Sequence, residues 1–129
     1  MKHKAYKRTR NKARKYFEKW TYLLGLRWYN VQVNWYDNEK AFRKASGAEG
    51  RNVAMRVYSD WRYMTAVVYV NVPALAGMSD RELEEGIVHE LCHILVNEMR
   101  EKDIGHEERT VTMLASAFMW VSRKGKDHA

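Results

Sequence analysis

The residues of this chain whose types and spacing suit chemistry are two histidines and a glutamate in the run His89-Glu90-Leu91-Cys92-His93. On a helix, positions i and i+4 share a face, so the imidazoles of His89 and His93 converge on one point with Glu90 beside them, the HExxH arrangement. A zinc ion takes two such nitrogens and a third protein ligand, leaves one position for water, and lowers that water's pKa toward about 7. Glu90 is then the general base, taking the water's proton and passing it to a leaving amine. The pattern predicts a zinc-dependent metallopeptidase, with Zn2+ as cofactor and a protein or peptide as substrate.

The third ligand has to come from farther along the chain, and His106, Glu107 and Glu108 are the candidates. Glu108 is preferred. Thr112 follows it by four residues on the same helical face, where a hydroxyl can support a ligating group, whereas Glu107 is followed at that spacing by Val111, which cannot. One of the two glutamates is also accounted for by the dipole at a helix N-terminus. Cys92 falls to one side of the histidine pair and reads as a small buried thiol. Tyr58, Tyr63 and Tyr69 are candidates to stabilise an oxyanion, and the spacing does not choose among them.

Those residues need helices to position them. Ser79 with Glu82 forms a capping box that opens a helix over residues 79–100, whose buried stripe is Leu83, Ile87, Leu91, Ile94 and Leu95. Glu82, Gly86, His89, His93 and Asn97 line a separate stripe. Gly86 costs roughly 1 kcal/mol of helix propensity relative to alanine, which points to close approach by another segment. After a break at Lys102–Gly105, a last helix over residues 106–122 uses Val111, Leu114, Ala115 and Phe118, ends before Arg123 and leaves a polar tail. Upstream, Ala13, Tyr16, Phe17, Trp20, Leu23 and Leu24 recur at three- and four-residue steps, so residues 1–24 form a basic amphipathic helix stopped by Gly25. Val31, Val33 and Trp35 alternate with Gln32 and Asn34 in a first strand. Residues 37–50 are a polar loop or short irregular helix, a second strand carries Val53, Met55 and Val57, and a third runs from Thr65 to Val72, with Pro73 and Gly77 breaking the pattern. Helix, three strands, helix, helix predicts an α+β fold: an antiparallel or mixed three-stranded sheet with helices on one side.

At 129 residues the chain is expected to be one domain, residues 1–129, with 46% hydrophobic and 30% charged side chains typical of a folded protein. Its 23 Lys and Arg against 16 Asp and Glu give +7. That excess is local. Residues 1–19 hold Lys2, Lys4, Lys7, Arg8, Arg10, Lys12, Arg14, Lys15 and Lys19 against Glu18 alone, a net +8 that leaves −1 for the remainder. Residues 2–19 could therefore bind nucleic acid, and the alternative function is a nucleic-acid-binding protein with a structural or vestigial metal site. No apolar run follows the basic stretch as in a signal peptide, and none reaches the roughly 18 residues of a membrane span. The single cysteine excludes an internal disulfide framework and fits a reducing compartment, so a cytoplasmic location and no membrane association are expected. Most of the five tryptophans fall on apolar stripes and read as core, with Trp61 the one suspected of surface contact.

His89-Glu90-Leu91-Cys92-His93, followed by Ile94-Leu95 and by His106-Glu107-Glu108-Arg109-Thr110-Val111, resembles the compact zinc metallopeptidases of bacteriophages and prophages, a minimal zincin similar in outline to the SprT-like and ImmA/IrrE-like families. The resemblance covers roughly residues 20–120 and is sharp at the motif helix and the last helix. It implies a zincin-like fold, action in the host cytoplasm, and a strand before the active-site helix that pairs with an extended peptide, which would be Thr65–Asn71 here. Glutamate-ligand relatives imply Glu108, while SprT-like proteins use a later histidine that would correspond to His106. The glycine and aromatic that follow that histidine in SprT-like proteins are replaced here by Glu107 and Thr110.

Overall fold

Alternation along Val31, Val33 and Trp35 is realised in strand β1 (Asn30–Tyr36), and the same period builds β2 (Met55–Asp60) and β3 (Thr65–Asn71) in the computed structural model, which describes residues 2–50, 52–97 and 104–128. The three form one mixed sheet in the order β1-β3-β2. β3 runs parallel to β1 and antiparallel to β2. In register, Val68 lies between Val33 and Val57, and Val70 between Trp35 and Met55, so one face of the sheet is apolar across these two rows. The helices are α1 (Lys2–Leu23), α2 (Glu39–Ser46), α3 (Val72–Ala76), α4 (Asp80–Leu95) and α5 (Ile104–His128).

On the apolar face α4 packs on β2 and on α5, and α1 packs on α4 and α3. Ala13, Phe17 and Trp20 of α1, Leu83, Ile87 and Leu91 of α4, and Val111, Ala115 and Met119 of α5 complete one core with Val68 and Val70. Phe17 meets Trp35 edge to face at 6.0 Å. Polar pairs fix the docking of α1. The Glu84 carboxylate accepts from both Lys19 Nζ and Trp20 Nε1 at 2.7 Å, and Lys12 reaches Asp80 at 2.6 Å. Gly25, at φ 70°, ends the first helix in the left-handed region that favours glycine.

Several expectations are corrected. The helices do not all lie on one side: Phe42 of α2 meets Tyr36, whose ring stacks on Tyr69 on the opposite face of the sheet, and Arg56 donates to the Ser46 carbonyl there. The polar stretch after β1 becomes a regular helix because Asn38 caps it and Gly47, at φ 71°, closes it. Pro73 starts the short α3 after β3, since proline fits the first helical turn. The motif helix gives up its regular form at Leu95, which is 42% exposed; Val88 and Cys92 take its place in the buried stripe. The expectation for residues 98–100 lies outside the described residues. The last helix is longer than expected at both ends, starting at Ile104 within the expected break and continuing past Arg123 and through Gly125 to His128. Finally, β3 is the central strand, hydrogen-bonded on both sides, and has no free edge for a peptide. Among the described strands the edges are β1 and β2.

Candidate metal centre

Ser79 and Glu82 form the reciprocal capping box that sets the start of α4. Ten residues on from Ser79, His89 opens the motif, and α4 brings the rings of His89 and His93 to a centroid separation of 5.0 Å. The first turns of α5 come back against them. His89 Nε2 lies 3.0 Å from Glu108 Oε1, and His93 Nε2 lies 3.4 Å from Glu108 Oε2. One donor atom from each of His89, His93 and Glu108 falls within 4.8 Å of the other two, a group able to hold a metal ion. The three flank a cleft of about 180 Å3 that also takes in Glu90, and its opposite wall is Met55, Arg56 and Val57 of the edge strand β2. Arg56 turns its guanidinium away toward Ser46.

Burial is graded across the group. The Glu108 side chain is 61% exposed, His89 28% and His93 11%. Behind His93 sits Glu107, only 2% exposed, with Oε1 3.0 Å from Nδ1 of the ring. That contact holds the ring with Nε2 turned to Glu108, and in the tautomer with its proton on Nδ1 the ring donates to Glu107. In that tautomer a nitrogen lone pair faces a carboxylate. A cation between them, whether a proton or a metal ion, makes the arrangement favourable, so the donor set fits a bound metal.

Of the residues singled out in the sequence, His89, Glu90, His93 and Glu108 come together at this cleft. His106 is exposed in the first turn of α5 and is not part of the donor group. Thr112, expected to support a ligand, is exposed; the residue that backs an imidazole is Glu107. A signal for this was present. Glu107, Val111, Ala115 and Met119 recur at four-residue steps, so Glu107 begins the buried stripe of α5 and requires a partner inside. Cys92 is fully buried, desolvation pushes its thiol up to about 11, and it is not part of the donor group. Tyr58 and Tyr63 are exposed and Tyr69 stacks on the far face; none of the three lines the cleft. Gly86 has the close neighbour its position suggested: a Cβ there would stand 3.2 Å from Cε of Met55 in the cleft wall. Trp20 is buried and Trp35 partly so, but Trp28 and Trp120 are exposed like Trp61, against their expected place in the core. No described helix is long and apolar enough to cross a membrane. Compared with protein-family models, with curated proteins and with solved structures, the chain has no match.

Proposed function

We propose that this protein is a zinc-dependent metallopeptidase of the HExxH type, in which His89, His93 and Glu108 hold the metal and Glu90 is the general base. The observation that carries the reading is the approach of two imidazole nitrogens and one carboxylate to within 4.8 Å in a cleft that also contains Glu90. Tetrahedral zinc with bonds of about 2.0–2.1 Å sets neighbouring ligand atoms roughly 3.3–3.4 Å apart. His89 Nε2 stands 3.0 Å from one Glu108 oxygen and His93 Nε2 3.4 Å from the other, so the carboxylate reaches both rings. Two imidazoles favour zinc over calcium or magnesium, which prefer oxygen.

When bound, zinc would supply a Lewis acid and acidify a water toward a pKa of about 7. Glu90 takes the proton of the attacking water and delivers it to the leaving amine. Glu107 keeps the His93 ring in one tautomer and one orientation while this happens. The substrate is an extended peptide laid along the open edge of β2, whose outward N–H and C=O groups are available beside Glu90. Three protein donors with one position left over is the pattern of catalytic zinc, whereas structural zinc is closed by four. That favours the peptidase over a binding protein with a structural or vestigial site. The same reading takes the chain as a relative of the compact phage and prophage enzymes its motif resembles, acting in the host cytoplasm.

Glu90→Gln separates binding from chemistry. The variant is expected to keep bound metal and to lose hydrolysis of a quenched fluorescent peptide library by at least about 100-fold, the scale of a general base. Unchanged hydrolysis in that variant, or a metal-loaded wild type that cleaves no member of the library, would contradict the proposal.

A further inference from the structure

Seven of the nine basic side chains behind the net +8 of residues 1–19 fall into two sets, apart from Lys2 and from Arg14, whose guanidinium lies over the Trp35 ring. Arg10, Lys12 and Lys19 turn toward the body and meet Asp37, Asp80 and Glu84. Lys4, Lys7, Arg8 and Lys15 are exposed and, among the described residues, form no ion pair. Lys4, Arg8 and Lys15 lie at helical spacing on one outward stripe that spans about 16 Å at 1.5 Å per residue. Lys7 flanks it, in a hollow of about 280 Å3 lined, among the described residues, by His3, Lys4, Lys7 and Arg10. Farther along the same stripe, Tyr22 is 63% exposed, and Trp28 beyond it is 70% exposed.

Like charges repel at Lys4 with Arg8, Arg8 with Lys12 and Lys15 with Lys19, all at i,i+4, and the first turn of α1 has no acidic residue to complement the dipole. A face needed only for solubility is better built from mixed signs. With Glu18 as its one exposed acid, between Lys15 and Tyr22, the stripe is still predominantly basic and matches a regularly spaced row of anions. We propose that the outer face of α1, carried by Lys4, Lys7, Arg8 and Lys15, binds the phosphate backbone of single-stranded nucleic acid without regard to sequence. Tyr22 and Trp28 offer the bases a surface on which to stack. An anionic membrane is the poorer partner. A helix that lies in a bilayer surface needs a free apolar face, and Ala13, Phe17 and Trp20 of α1 are at most 5% exposed, with only Leu23 at the end of that stripe exposed, at 54%.

The test is fluorescence anisotropy of a labelled 25-nucleotide single strand with the full chain between 50 and 200 mM salt. Four phosphate contacts predict a slope of log K against log salt of about −2.8, a loss of roughly 50-fold over that range. Replacing all four residues by glutamine, a good helix former, should abolish binding while circular dichroism keeps the wild-type helix signal. Lys15→Gln alone should flatten the slope by about 0.7, which tests the claim even if the fourfold variant does not fold. Lys40→Gln with Lys44→Gln, on exposed positions of α2, should leave the slope as it is. The proposal is overturned by a flat slope, by a folded fourfold variant that binds as wild type does, or by capture on phosphatidylserine vesicles with no binding to the oligonucleotide.

Discussion

Glu107 and Cys92 show how burial assigns chemistry to single residues. Both lie beside the histidine pair in sequence or space, yet neither is in the donor group. Glu107 acts through His93: Glu107→Gln preserves shape but removes the acceptor charge, and a metal-buffer competition should show affinity lower by about 10- to 100-fold with the fold retained. Affinity equal to wild type would make Glu107 a packing residue only. Burial pushes the Cys92 thiol up to about 11, so at pH 8 it is almost wholly protonated and inaccessible. Native protein should therefore be inert to Ellman's reagent and release one equivalent of thiol on denaturation. The histidine pair and Glu90 were legible in the sequence because the i,i+4 geometry of a helix is local. The role of Glu107 was less so. Its four-residue spacing to Val111 marked it as inward-facing, but what it would meet depended on how α5 folds back on α4.

At the scale of elements, α4 is specified twice, by a capping box and by an apolar stripe. The Ser79 N–H donates to Glu82 Oε1 at 3.0 Å, and the Glu82 N–H donates to Ser79 Oγ at 3.2 Å. Ser79→Ala should cost about 1 kcal/mol in chemical denaturation. The hydrogen bond from the Ser79 backbone N–H, and after it one from the Ser79 side chain, hold the Glu82 carboxyl below its ordinary 4.5. A lowered folded pKa stabilises at pH above 4.5 and is lost as the pH falls through the lowered value, so Glu82→Gln should flatten the acid limb of the stability profile. Gly86→Ala gains helix propensity of roughly 1 kcal/mol, and the methyl end of Met55, being flexible, can shift by the few tenths of an ångström required. A modest rise in melting temperature is expected, with Met55 displaced in the cleft wall. Strand positions were read from alternation, but strand order was not. Which strand is central is decided by pairing between distant segments. The near-continuous apolar run Ala66–Val70 was the available clue, since strands covered on both sides lose their alternation.

Taken whole, the molecule is a nearly neutral α+β body with a basic helix along one side. The acids that the body places near α1, Asp37, Asp80 and Glu84, hold that helix in place and leave its outer face charged. A metal ion held between α4 and α5 would also join two helices whose linking residues lie partly outside the described ones. At free zinc 100-fold above its dissociation constant the expected stabilisation is about 2.7 kcal/mol, roughly 8–12 °C in Tm, and a chelator should reverse it. The measurement that bears most directly on the account is zinc stoichiometry by elemental analysis of the purified chain and four variants. One equivalent is predicted for wild type, Glu90→Gln and His106→Ala, and well under one for His93→Ala and Glu108→Ala. Wild-type protein without zinc after reconstitution, or full occupancy in Glu108→Ala together with its loss in His106→Ala, would contradict it.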